Sequence, residues 1–247
     1  MVRHFIILSS SYSQGQRIAL DMVGLKKNNI DLFYQTVEKI KKECGNDTSI
    51  SIHCIEASSE MWNSVVAEDS FFEDVFVVKT VDEFIRVIQM DRTLSGLDIA
   101  KYILSMQSCT HLKLQKLAYY CFADYLCTAR EPLFQDKIYA FNLGPVVKSI
   151  REKFKGFRYI NIDNVDMISD ISPLNMPIRS KILFADKGIS KLKSIEQTID
   201  KYGKCTAGEL VDLTHKKGAP WDYAYDGSSF KIIPNEIILQ RHHLELI

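Results

Sequence analysis

Six cysteines and six histidines are the residues of this chain best equipped for nucleophilic or metal chemistry. The cysteines are Cys44, Cys54, Cys109, Cys121, Cys127 and Cys205. No two have the C-x-x-C spacing of a zinc knuckle or a thiol redox pair. Cys121 and Cys127 are six apart on one predicted helix, so they point in different directions. Without a secretion signal all six read as small buried hydrophobes, not as a disulfide framework. No H-E-x-x-H motif appears among the histidines, so no metal site is predicted. His242 and His243 are adjacent, so their rings diverge, and both read as solvated tail residues. His215 would form a dyad with Cys205 or Cys109 only if the fold brought them together. No G-x-S-x-G elbow is present. Ser13-Gln14-Gly15-Gln16 has one Gly and no Lys-Ser or Lys-Thr, so it reads as a strand-to-helix connection and not a phosphate loop. No cofactor is implied.

Charge is the other chemical resource. Lys148, Arg151, Lys153, Lys155 and Arg158 cluster around Gly156, and Lys148, Arg151 and Lys155 share one helical face. This reads first as a solvated face, then as a surface for an acidic protein. A nucleic acid ranks last, because no aromatics are interleaved at regular spacing. Over 247 residues, 31 basic and 31 acidic side chains cancel, which argues against a coat for nucleic acid or an anionic membrane. The balance is uneven along the chain: residues 1–92 hold 10 basic and 14 acidic groups, and residues 93–247 hold 21 and 17. With 46% hydrophobic residues the chain can bury a core, as one large domain or two small ones. Phe5-Ile6-Ile7-Leu8 is too short for a signal peptide and reads as a buried strand. No run approaches a membrane span, so a soluble, cytoplasmic protein is expected.

The elements that position these residues follow from periodicity. Strands are predicted at Phe5–Leu8, Ser49–Ile55 and Val75–Val78. A helix around Asp31–Cys44 presents Leu32, Phe33, Val37 and Ile40, and Thr80–Glu83 has capping-box form before Phe84, Ile85 and Ile88. Strands alternating with helices make residues 1–92 a small α/β unit. From Ser95-Gly96-Leu97-Asp98 onward the chain reads as mainly helical. Leu114, Leu117, Ala118, Cys121, Phe122, Tyr125 and Leu126 form one stripe, ended by Glu131-Pro132. A short strand is predicted within 137–141, then a helix over 146–154 opening on Pro145. Residues 156–180 read as a loop and Lys181–Phe184 as a strand. Helices are predicted at Ser190–Tyr202, after the Thr206–Glu209 capping box, and from Pro234. The fold class is therefore α+β: an α/β unit over 1–92, then a mainly helical domain over 93–247 with a few short strands.

Three segments of the second part are distinctive: His111-Leu112-Lys113-Leu114-Gln115-Lys116-Leu117-Ala118-Tyr119-Tyr120, Ala140-Phe141-Asn142-Leu143-Gly144-Pro145-Val146-Val147, and Leu213-Thr214-His215-Lys216-Lys217-Gly218-Ala219-Pro220-Trp221. Read by themselves, Lys113, Gln115 and Lys116 form a polar side opposite Leu114, Leu117 and Ala118. Adjacent Tyr119 and Tyr120 cannot share a face, so one edges the surface or reaches a buried partner. Gly144-Pro145 forces a turn. Trp221 is large enough to seal a core from a loop, held by a His215 ring nitrogen.

Over about residues 94–240 these segments resemble the Panacea, or SocA-like, antitoxin domain, with its K-L-Q-K-L-x-Y-Y helix, Y-G-P-V turn and L-T-H-x-x-x-x-P-W segment. The second segment departs from the pattern, with Phe141 and Leu143 where Trp and Tyr are frequent. The resemblance implies an antitoxin, with no catalytic residue, that neutralises a cognate toxin by direct binding, and an N-terminal unit that supplies toxin specificity. Alternatives are an adaptor delivering a bound protein to a bacterial protease, a phage or prophage protein modulating host defence, and an enzyme built on the α/β unit. Partner-binding candidates are Lys113, Gln115, Lys116, Tyr119, Tyr120, Asn142, Gly144, Pro145, His215 and Trp221.

Overall fold

A computed structural model describes residues 1–24, 30–163, 178–228 and 230–247. The chain divides into two compact units that part after Arg92.

In the first unit, β1 (Val2–Ser11) and β2 (Gln16–Val23) form a hairpin. β3 (Ser51–Ala57) pairs antiparallel with β1, and β4 (Val75–Val78) pairs parallel with β2, giving the order β3-β1-β2-β4. Side chains alternate across the sheet, so both faces are used. Ile7, Ile18 and Leu20 pack against α1 (Ile30–Cys44) and α3 (Val81–Arg92). Ile6, Leu8 and Ala19 pack against α2 (Trp62–Glu68) and the short 3-10 turn Ser70–Phe72. The α/β reading holds, with corrections. Leu32 is exposed, and Thr36 and Cys44 complete the inner face of α1 instead. Ser13–Gln16 joins strand to strand, not strand to helix, because Gly15 takes a positive φ of 65° in the hairpin turn. The Asp91 carboxylate accepts from Ser11 Oγ and from the backbone N–H groups of Tyr12 and Ser13. Those N–H groups, the ones a phosphate would need, are thus taken by the protein itself. Thr80 caps α3 by accepting from Glu83 N–H, while Glu83 accepts from Lys79 N–H.

In the second unit, α4 (Gly96–Met106) opens on a full capping box between Ser95 and Asp98. A two-residue strand, β5 (Cys109–Thr110), pairs with β8 (Asn161–Ile162). α5 (His111–Ala129) is the central helix, and Arg130 ends it in the left-handed conformation. β6 (Ile138–Phe141) and β7 (Gly144–Val147) form a hairpin, joined on the β6 side by β9 (Lys231–Ile232). Then come α6 (Lys148–Phe154), α7 (Ile178–Phe184), α8 (Gly188–Tyr202), α9 (Ala207–Thr214), α10 (Pro220–Ala224) and α11 (Asn235–Arg241). Two predicted boundaries fail. Pro145 lies inside β7 opposite Ala140, and the helix starts only at Lys148. Residues 181–184 belong to α7, not to a strand. Of the stretch 156–180 read as a loop, 164–177 falls outside the described residues. Among the described residues no helix is long and apolar enough to cross a membrane.

Candidate functional site

The three distinctive segments meet at the β6–β7 hairpin, and α5 holds it. α5 is buried on nearly every side, so the expected division into a polar and an apolar face does not hold. Gln115 and Lys116 are both buried. Their polarity is used on the backbone of β7. Gln115 Nε2 donates to Val147 O at 3.2 Å, and Val147 N–H donates to Gln115 Oε1 at 2.9 Å. The amide thereby stands in for a neighbouring strand. Lys116 Nζ donates to Pro145 O at 3.0 Å. Burial drives the Lys116 pKa down to about 7, against the opposing charge of Glu245. Lys113, one turn earlier and half-buried, donates from Nζ to Gly203 O at 2.7 Å beyond the end of α8.

Gly144 is required where it stands. Its φ is +100°, and a Cβ there would lie 2.5 Å from Lys116 Nζ and 2.9 Å from Thr214 Oγ1. Asn142 and Leu143 form the exposed tip of the hairpin, and Pro145 is buried behind it.

Trp221 closes the hairpin from the other side. It sits near the start of α10, not on a loop, because Pro220 occupies a first-turn position where it needs no N–H partner. Its Nε1 donates to Phe141 O at 2.7 Å. His215 stacks on its ring at 3.7 Å and Tyr225 at 4.7 Å. His215 therefore acts by ring contact. Among the described residues its buried Nε2 has no hydrogen-bond partner, so the expected tether through a ring nitrogen is not seen there. Burial, then the charge of Lys116, lowers the His215 pKa, which favours the neutral ring.

Farther along α5, Tyr119 and Tyr120 are both fully buried. Tyr119 Oη donates to Glu245 Oε1 at 2.5 Å, and Tyr120 Oη donates to Glu245 O at 3.3 Å. Tyr120 also stacks on Tyr202 at 4.2 Å. Their partner Glu245 lies just beyond His242 and His243, the two residues read as solvated. His242 is buried, with Nδ1 2.7 Å from Glu245 and Nε2 2.7 Å from Asp124. Burial opposes the charged ring, but the hydrogen bonds to Asp124 and Glu245 outweigh it and push the pKa up to about 9. Thr198 Oγ1 donates to the other Asp124 oxygen at 2.8 Å. Asp124, His242 and Glu245 were missed by sequence reasoning. Two signals pointed to them: a carboxylate in the apolar run Phe122-Ala123-Asp124-Tyr125, and a His and a Glu three residues apart.

Of the cysteines, Cys44, Cys109 and Cys121 are buried, Cys127 and Cys205 are intermediate, and Cys54 is exposed on β3, against expectation. None of the six forms a disulfide. Burial raises the Cys109 pKa to about 11, so it is no ready nucleophile. Among the described residues no group of three His, Cys, Asp or Glu could hold a metal ion.

Residues 114–222, which include most of this constellation but not Lys113, Tyr225, His242 or Glu245, match the family described as Antitoxin SocA-like, Panacea domain. Within the second unit, residues 114–222 are similar to the Panacea domain. Antitoxin SocA of Caulobacter vibrioides (strain NA1000 / CB15N) is 27% identical over 122 residues, covering 48% of this chain. The aligned region spans 61% of that relative's length. No solved structure matches the chain. Within the matched region, the hydrogen bonds and ring contacts of Gln115, Lys116, Tyr119, Tyr120 and Trp221 are directed inward. Asn142 and its neighbour Leu143 face outward.

Proposed function

We propose that this protein is an antitoxin that neutralises a protein toxin by binding it directly. The match of residues 114–222 to the SocA-like Panacea domain carries this reading, and the relative named Antitoxin SocA supports it. The mechanism is occlusion: a toxin surface is covered over an area of roughly 800 Å² on each partner. No bond is made or broken, and no catalytic residue is assigned. The buried residues of the KLQK helix and of the PW segment serve by holding the β6–β7 hairpin and its exposed tip in one conformation. Residues 1–92, outside the matched region, are proposed to form a separate domain that adds specificity for the toxin.

Co-expression tests this. The product of the gene adjacent to this one should arrest growth when induced alone, and the full-length chain should restore growth and co-purify with it. If the neighbour is harmless, or arrest persists with this chain present, the reading fails for that pair. Loss of the neighbour's polypeptide during rescue, in place of a stable complex, would point to delivery for degradation.

A further inference from the structure

The outer face of the β6–β9 sheet carries an apolar patch beside a run of cations. Register defines this face. In β6, Ile138 and Ala140 point into the core, so Tyr139 and Phe141 point outward. Tyr139 lies opposite Ile232 of β9, and the Phe141 ring meets the Phe230 ring at 5.1 Å. Phe230 is 63% exposed, Leu143 at the hairpin tip 51% and Ile232 41%. These are large side chains grouped on one short sheet and its turn, in a unit whose core is already well filled.

One cation lies against it, and others follow it in the chain. The Arg151 guanidinium sits over the Phe141 ring, 5.4 Å from its centre. Arg151, Lys155 and Arg158 are exposed and have no carboxylate partner among the described residues. Lys148 reaches Glu152 at 3.7 Å. Residues 148–158 hold five cations against that one carboxylate. The field extends inward, where after burial it is the charges of Arg151 and Lys116 that lower the His111 pKa. An apolar centre with a rim of one sign is the anatomy of a protein-binding surface, and an unpaired guanidinium on an aromatic ring fits a carboxylate arriving from outside.

We propose that this patch, Tyr139, Phe141, Leu143, Phe230 and Ile232 with Arg151 at its edge, is where the toxin docks. The surface it meets there is acidic at its rim and apolar at its centre. The proposal rests on the antitoxin reading above and adds the partner's chemistry to it. The rim speeds association and sets its salt dependence, while the apolar centre retains the partner.

The test uses the full chain and the purified product of the adjacent gene. Leu143→Asp, Phe230→Asp and Arg151→Glu alter exposed side chains, so their circular-dichroism melts should follow the parent. Ile189→Asp changes a still more exposed apolar residue on α8 and serves as the control. Each patch variant is expected to bind at least tenfold more weakly and to lose rescue. Arg151→Glu should also flatten the dependence of affinity on salt, and Ile189→Asp should behave as the parent. Affinities within twofold of the parent for all three patch variants, with rescue intact, overturn the docking surface and leave the antitoxin reading standing. An equal loss for Ile189→Asp overturns it as well. So does sedimentation showing a dimer of this chain that Leu143→Asp dissolves, since a second copy then occupies the patch. A parent chain that neither binds nor rescues removes the antitoxin reading and this proposal with it.

Discussion

At the scale of single residues, Trp221 separates packing from binding most clearly. It is buried, stacked with His215 and with Tyr225, and hydrogen-bonded to Phe141 O. Trp221→Ala leaves a cavity and an orphaned carbonyl at the hairpin, so a loss of about 3–5 kcal/mol is expected. Trp221→Phe keeps most of the ring contact and loses only the donor, at about 1 kcal/mol. Urea denaturation of both variants checks the order. If Trp221→Ala unfolds like the parent, its ring does not seal this core. Trp221 was legible in the sequence as a large residue that needs burial. The hydrogen-bond partner was not, because it lies 80 positions away and only the fold selects it.

At the scale of elements, the decisive contact is the backbone of β7 against α5. β7 is four residues long, too short to be stable by its own ladder. Pairing with β6, the Gln115 amide and the Lys116 ammonium together hold it. Gly144→Ala therefore strains the chain twice, through its positive φ and through contact with Lys116 and Thr214. More than ~1 kcal/mol of stability should be lost, and thermal melts measure it. A variant as stable as the parent would show that the hairpin can shift without cost. The helices were read well where their ends carry signals of their own: Ser95 with Asp98 and Thr206 with Glu209 form complete capping boxes. The error at Pro145 has a physical cause. Pro at the first turn of a helix and Pro on a short strand both leave the missing N–H without cost, so residue type alone cannot separate them.

At the scale of the whole molecule, two buried cations set opposite responses to pH. An ordinary histidine titrates at 6.5, and His242 is pushed up to about 9. Between those values the folded chain keeps a proton the unfolded chain has released, so this group's contribution is lost as pH rises. Lys116 runs the other way, from 10.5 down to about 7. Between about 7 and 10.5 the unfolded chain binds the extra proton, so stability rises with pH. From pH 7 to 9 the two oppose each other in the intact protein. Lys116→Met should leave a melting temperature that declines across that window, and His242→Asn one that climbs, each relative to the parent. Groups common to all three proteins cancel in that comparison. Parallel curves for parent and both variants would show that neither group titrates as its surroundings dictate.

What the sequence determined by itself is the local and the periodic. The α/β character of residues 1–92, the helices after residue 95, the capping boxes and the resemblance of the three segments all rest on neighbours within a few positions. Such interactions repeat wherever the same short pattern occurs, so they can be read without the fold. What only the tertiary structure decided is which polar groups are inside. Gln115, Lys116, Asp124, His242 and Glu245 look like surface residues by type, and sequence reasoning placed Gln115, Lys116 and His242 there. Each of them is hydrogen-bonded by a partner 29 to 126 positions away. A polar side chain stands in a core only when its partners arrive with it, and that pairing is set by the packing of whole elements.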